Sequence, residues 1–100
     1  MKEYIKFTDF REAFLFMWKL SQGHLLVPRE TFDWRSKYKD KALFDKMSKE
    51  IDLAWGEVHD KPEDWKTNEI RAWNTAWHLL MVVEGKPCWI LEDKFVYVEG

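Results

Sequence analysis

Apolar and polar residues alternate weakly over Lys2–Phe7, the signature of a short strand. Thr8 or Asp9 is placed to cap a helix, and Asp9, followed by Glu12, has the spacing of a capping box. The spacing predicts a helix from Phe10 to Ser21, closed by Gly23. Its interior, Ala13-Phe14-Leu15-Phe16-Met17-Trp18, is apolar on every side. Such a helix sits at the centre of a core or is covered by another molecule. The pattern therefore raises self-association through this first helix.

Beyond it, Leu25-Leu26-Val27 reads as a short strand or connector, and Pro28 opens a helical turn over Arg29–Trp34. Arg35–Lys39 is polar. Asp40 is placed to cap a second helix, Lys41 to Trp55, ended near Gly56. Leu43, Phe44, Met47, Ile51, Ala54 and Trp55 recur at intervals of three and four, which defines one apolar face.

A turn at His59–Pro62 leads to a third helix over Glu63–Val83, ended by Gly85. Its stripe is Ile70, Trp73, Ala76, Trp77, Leu80 and Val83. Cys88–Leu91 and Phe95–Val98 are β-rich, with Glu92-Asp93-Lys94 between them, and read as a hairpin. A lone hairpin is marginal in water. It is expected to take the N-terminal strand as a third member. The predicted class is α+β: a small antiparallel three-stranded sheet packed against about three helices, in a single domain spanning residues 1–100.

Composition sharpens this picture at one point. Aromatic residues make up 17% of the chain, and seven are tryptophans. Burying seven indoles, each with an N–H to satisfy, is difficult in 100 residues. Several are therefore expected at partly exposed positions, as at protein interfaces. The lone cysteine, Cys88, excludes an internal disulfide and a thiolate metal cluster. No apolar run follows the charged Met1–Tyr4 segment, and no stretch approaches the ~20 residues of a membrane span. A soluble, cytoplasmic protein is expected.

Residues 1–49 carry eleven basic against seven acidic side chains, a balance of +4. Residues 50–100 carry five against eleven, a balance of −6. Such asymmetry marks a polar partner surface, or cancels when the halves pack together.

No phosphate loop, nucleophile elbow or zinc-protease motif occurs, so an enzyme is not expected. Glu57, His59 and Asp60 gather in one loop, too few for a structural metal site without a second cluster. No cofactor or metal is implied.

Two segments carry binding chemistry. Trp34-Arg35-Ser36-Lys37-Tyr38-Lys39-Asp40-Lys41 interleaves aromatics with cations, and Trp65 lies beside Asp64 and Lys66. Trp, Tyr and Arg dominate interface hot spots. The leading expectation is a non-enzymatic inhibitor or adaptor that docks on another protein through Trp34, Arg35, Tyr38, Lys39 and Trp65. Small proteins of this kind are frequent among phage and mobile-element accessory factors, including inhibitors of host defence. A nucleic-acid binder using Arg35, Lys37, Lys39 and Lys41 is the first alternative. A small-ligand or nucleotide sensor with a Trp-lined pocket is the second. Alanine at Trp34 and Tyr38 is expected to weaken partner binding by ~2 kcal/mol without unfolding the domain, as titration calorimetry against the partner would read.

Overall fold

A computed structural model describes residues 2–24, 39–58, 67–91 and 93–99. In chain order the elements are β1 (Glu3–Phe7), α1 (Phe10–His24), α2 (Lys41–Val58), α3 (Thr67–Leu79), β2 (Leu80–Val83), β3 (Lys86–Ile90) and β4 (Lys94–Val98). The four strands form one sheet in the order β1-β4-β3-β2.

Both helix starts are built as their sequences dictate. The Asp9 carboxylate accepts from the Arg11 N–H at 3.1 Å, and its carbonyl accepts from Ala13 at 3.1 Å. Asp40 does the same for α2, its side chain accepting from Leu43 at 3.1 Å and its carbonyl from Phe44 at 3.0 Å. Each satisfies donors that the first helical turn would otherwise leave open. Glycine does not end either helix. Gly23 lies inside α1, which runs on to His24, and Gly56 lies inside α2, which reaches Val58.

The sheet corrects the three-stranded antiparallel expectation twice. First, the third helix stops at Leu79, and Leu80–Val83 is a strand paired antiparallel with β3. A wholly apolar run satisfies helical and strand periods alike, so spacing could not separate them. The turn decides it. Glu84 and Gly85 both have positive φ, 53° and 77°. Two such residues between strands make the tight hairpin loop that matches strand twist. Gly85 is thus a hairpin residue, not a helix stop. Second, β1 lies parallel to β4, in register from Glu3 opposite Lys94 to Phe7 opposite Val98. Alternation in β1 fixes which face it buries, and says nothing of the direction it runs. Backbone bonds of 2.8 Å from Glu3 to Asp93 and from Glu99 to Phe7 close both ends of that ladder.

The helix α1 is the hub. Ala13, Phe14, Met17, Trp18 and Ser21 are buried along it. Leu15, Phe16 and Leu20 are half-buried and pack on the same core. Its neighbours are α2, α3, β1 and β4. Much of its apolar surface is covered within the chain, while Leu15, Phe16 and Leu20 stay half-buried.

Aromatic rings occupy the centre. Trp73 takes three edge-on neighbours, Phe14 at 4.9 Å, Trp55 at 5.0 Å and Trp18 at 5.6 Å between centroids. Pairs in this geometry add ~0.5–1.5 kcal/mol each beyond the area they bury. Trp89, fully buried, donates its indole N–H to the Ala76 carbonyl at 2.9 Å. Trp18 donates to the Glu69 carbonyl at 3.1 Å. Of the tryptophans among the described residues, Trp18, Trp73 and Trp89 are buried, while Trp55 and Trp77 are half-buried. Along α3 the buried positions are Ala72, Trp73, Ala76 and Leu79. Ile70, expected in the apolar stripe, is 44% exposed.

A glutamate at positive φ is strained, because its Cβ crowds the following carbonyl at a cost of ~1–2 kcal/mol. Glu84→Asn creates the Asn-Gly pair that this turn type favours. It is expected to raise stability by ~0.5–1 kcal/mol, read as a higher midpoint in urea unfolding.

Candidate functional site

The two faces of the sheet are both apolar, and only one meets the described helices. Ile5, Phe7, Leu80, Val82, Trp89, Val96 and Val98 belong to the core under α1. The alternate residues point the other way. In register across the sheet, Tyr4, Phe95 and Ile90 form one row. Lys6, Tyr97, Cys88 and Met81 form the next, and Val83 follows Met81 along β2. Most of these outward residues are apolar or aromatic. A sheet open to water on one side normally alternates apolar with polar.

The rings on this face touch each other. Tyr4 meets Phe95 edge-on at 5.7 Å, and Phe95 stacks on Tyr97 at 5.3 Å and 24°. Tyr4 is 69% exposed and Val83 43%. Phe95, Tyr97, Ile90 and Met81 are half-buried. Cys88 is only 2% exposed, yet it lies outside the main core cluster. It sits between Tyr97 and Met81 in its row, where larger neighbours shade a short side chain. Burial pushes its thiol up to about 11. A neutral thiol of this kind is a packing group, not a nucleophile.

Of the cations on this face, Lys6 is exposed with no ion pair among the described residues, and Lys86, opposite Val83, is partly matched; Lys94 alternates to the core side. Lys86 lies 3.6 Å from Glu99, and Lys94 lies 3.0 Å from Asp93 and 3.9 Å from Glu3. Hydrogen bonding to Asp93 raises the Lys94 pKa above its ordinary value. The face is therefore mainly apolar and aromatic, with Lys6 and Lys86 as its cations.

A second feature joins α1 to α2. Arg11 donates from Nε and Nη2 to Glu50 Oε2 at 3.1 and 3.0 Å, and from Nη1 to Glu57 Oε1. These bonds, Glu50 first and Glu57 second, raise the Arg11 pKa further above its ordinary value. Glu57, a member of the loop weighed for metal binding, is engaged by this arginine. Among the described residues no three His, Cys, Asp or Glu side chains converge as metal ligands.

Third, a cleft of about 360 Å³ opens where the start of α1, the flank of α2 and the β2–β3 turn meet. Phe10, Leu43, Met47, Pro87 and Val98 supply its apolar wall. Thr8, Asp9, Lys46, Glu50 and Lys86 supply the polar rim. None of the described residues lining it is a tryptophan.

Most of the residues singled out from sequence, Trp34, Arg35, Lys37, Tyr38 and Trp65, fall outside the described residues. Lys39 and Lys41 are exposed at the start of α2, on either side of the capping Asp40. Neither lines the cleft or the outer sheet face. Sequence reasoning missed that face, although a signal for it exists. Leu80–Val83, Cys88–Leu91 and Phe95–Val98 are continuous apolar runs, as in strands buried on both sides.

The chain matches no protein-family model, and neither a curated protein nor a solved structure is significantly similar to it. No described helix is long and apolar enough to cross a membrane.

The raised thiol pKa carries a signed expectation. Below about pH 9 the Cys88 thiol is protonated folded and unfolded, and contributes no pH dependence. Between about 9 and 11 the unfolded chain loses this proton while the folded chain keeps it, so stability falls as pH rises. Urea unfolding across this window is expected to show a steeper loss for the native chain than for Cys88→Ala.

Proposed function

We propose that this chain is a non-enzymatic binding domain that docks on another protein, as an inhibitor or adaptor, through the outer face of its sheet. The observation that carries this reading is the row structure of that face. Tyr4, Phe95, Tyr97, Ile90 and Met81 lie side by side on neighbouring strands, with the described helices all on the opposite side. Contiguous apolar surface of this kind marks a site of interaction. Aromatic side chains and Met are enriched at such sites, where they contribute large contact area. The neutral Cys88 thiol and the lack of a metal-ligand group among the described residues supply nothing toward catalysis.

The basic-aromatic segment with Trp34, Arg35, Tyr38 and Lys39, and Trp65 beyond it, remains a second proposed contact. A nucleic-acid partner is favoured by one feature of the sheet, since stacked aromatics also receive unpaired bases. The partly matched charge of Lys86 weighs against it, which leaves Lys6 as the cation of the face without an ion pair among the described residues. Phosphate binding needs free cations, and it weakens steeply with salt. An accessory role in a phage or mobile element fits a small docking protein and belongs to the same proposal.

The test is affinity capture from cell extract with the tagged chain, with and without nuclease, run for four proteins in parallel. These are the native chain, Tyr4→Glu with Tyr97→Glu, Trp34→Ala with Tyr38→Ala, and Cys88→Ala as control. Circular dichroism checks that each is folded. A protein partner that survives nuclease and is lost with the Tyr4/Tyr97 pair is the expected result. Retention by that pair would remove the sheet face as the contact. Loss only with the Trp34/Tyr38 pair would move the contact to the basic-aromatic segment. A nuclease-sensitive harvest would replace the protein partner with nucleic acid.

A further inference from the structure

We infer that the cleft beside the β2–β3 turn is a binding site for a small, flat, monoanionic molecule of the aromatic carboxylate class. The site is separate from the outer sheet face and does not depend on the docking role proposed for it. Its size, about 360 Å³, lies in the range of small-molecule pockets. Its wall is apolar, formed by Phe10 and Leu43 on the helices and Pro87 on β3, with buried Met47 behind. Phe10 is backed by Trp89, the two rings lying 6.0 Å apart at 15°. A preformed flat wall of this kind favours a flat ligand, because neither partner loses much freedom on contact.

Charge selects the sign of the ligand. The rim holds two acids and two lysines. Glu50 is paired with a guanidinium, whereas the exposed Asp9 keeps its charge and is only hydrogen-bonded. The Asp9 carboxylate accepts the Arg11 N–H at 3.1 Å as the cap of α1, and Glu50 accepts two bonds from the Arg11 guanidinium. Lys86 has a loose partner in Glu99 at 3.6 Å. Lys46, exposed on α2, makes no ion pair among the described residues. The cleft thus presents an apolar wall with one uncommitted ammonium at its rim. An apolar ring bearing one carboxylate complements both parts.

The probe is 2-naphthoate, titrated into the intact chain and followed by amide chemical shifts in 15N-labelled protein. Saturable binding with a Kd of about 1 mM or tighter is expected, with the largest shifts at Phe10, Leu43, Lys46 and Lys86. Lys46→Glu, a surface change that leaves the core intact, is expected to weaken binding about tenfold or more. The uncharged analogue 2-naphthalenemethanol is expected to bind the native chain about tenfold more weakly. Tyr97→Ala, on the outer face, is expected to leave 2-naphthoate affinity unchanged. Absence of saturation, an unaltered affinity in Lys46→Glu, or equal binding of the alcohol would each overturn the site. Loss of binding in Tyr97→Ala would overturn it too, by placing the naphthoate on the sheet face.

Discussion

The indole N–H groups of Trp18 and Trp89 set the terms for the rest of the structure. Each is a strong donor carried into a core that excludes water, where an unmet donor costs ~1–3 kcal/mol. Both find their acceptor on the backbone of the same helix, at Glu69 and Ala76 of α3. Trp18 comes from α1 and Trp89 from β3, so these two bonds fix α3 against both the hub helix and the sheet. The rings then pack around Trp73, which lies between them on α3. A shift of α3 along its axis would break two hydrogen bonds and three ring contacts together. A close-packed interior with directional bonds of this kind holds one arrangement rather than several. Ser21 departs from the rule, buried on α1 with no hydrogen-bond partner for its hydroxyl among the described residues.

Much of the framework was legible in the sequence. Asp9 and Asp40 announced the starts of α1 and α2, because capping is a local interaction that needs only the next few residues. Met47, Ile51 and Ala54 showed which side of α2 faces inward, and all three are buried. The β3–β4 hairpin lay close to where its β-rich runs placed it. Failures came where local pattern was degenerate. Leu79–Val83 suits a helix or a strand, and only the paired positive φ angles of Glu84 and Gly85 resolve it. The direction of β1 depends on a partner some ninety residues away, beyond the reach of any local signal. For the candidate site, the continuous apolar strands carried the message, but single-strand alternation was the feature weighed. The basic-aromatic segment drew attention by composition, and most of it lies outside the described residues.

The charge asymmetry between the two halves of the chain has a structural resolution. Arg11, from the basic half, is held by Glu50 and Glu57 from the acidic half. Glu3 and Lys94 meet across β1 and β4 with the signs reversed. These pairs are partly exposed, so their contribution is modest and falls with salt. Their larger effect is on what the surface offers. Glu50 and Glu57 share a single guanidinium, so that cluster stays net negative, and lysines beside Glu99 and Asp93 are poor anchors for a phosphate chain. The outer sheet face carries Lys6 and Lys86 among apolar and aromatic residues, a surface whose partner is recognised by shape and apolar contact together with a modest positive charge.

The parallel pairing of β1 with β4 also has a consequence for how the protein is made. Synthesis proceeds at roughly 5–20 residues per second, so β1 leaves the ribosome some 5–20 s before β4 exists. During that interval Ile5 and Phe7 have no ladder to join, and α1, whose apolar surface runs all round, lacks the sheet that covers part of it. The helices can form early, since their contacts are local, while the sheet waits for its central strands. The nascent chain therefore carries an exposed apolar helix and an unpaired strand for many seconds, and these are the segments a chaperone would bind first.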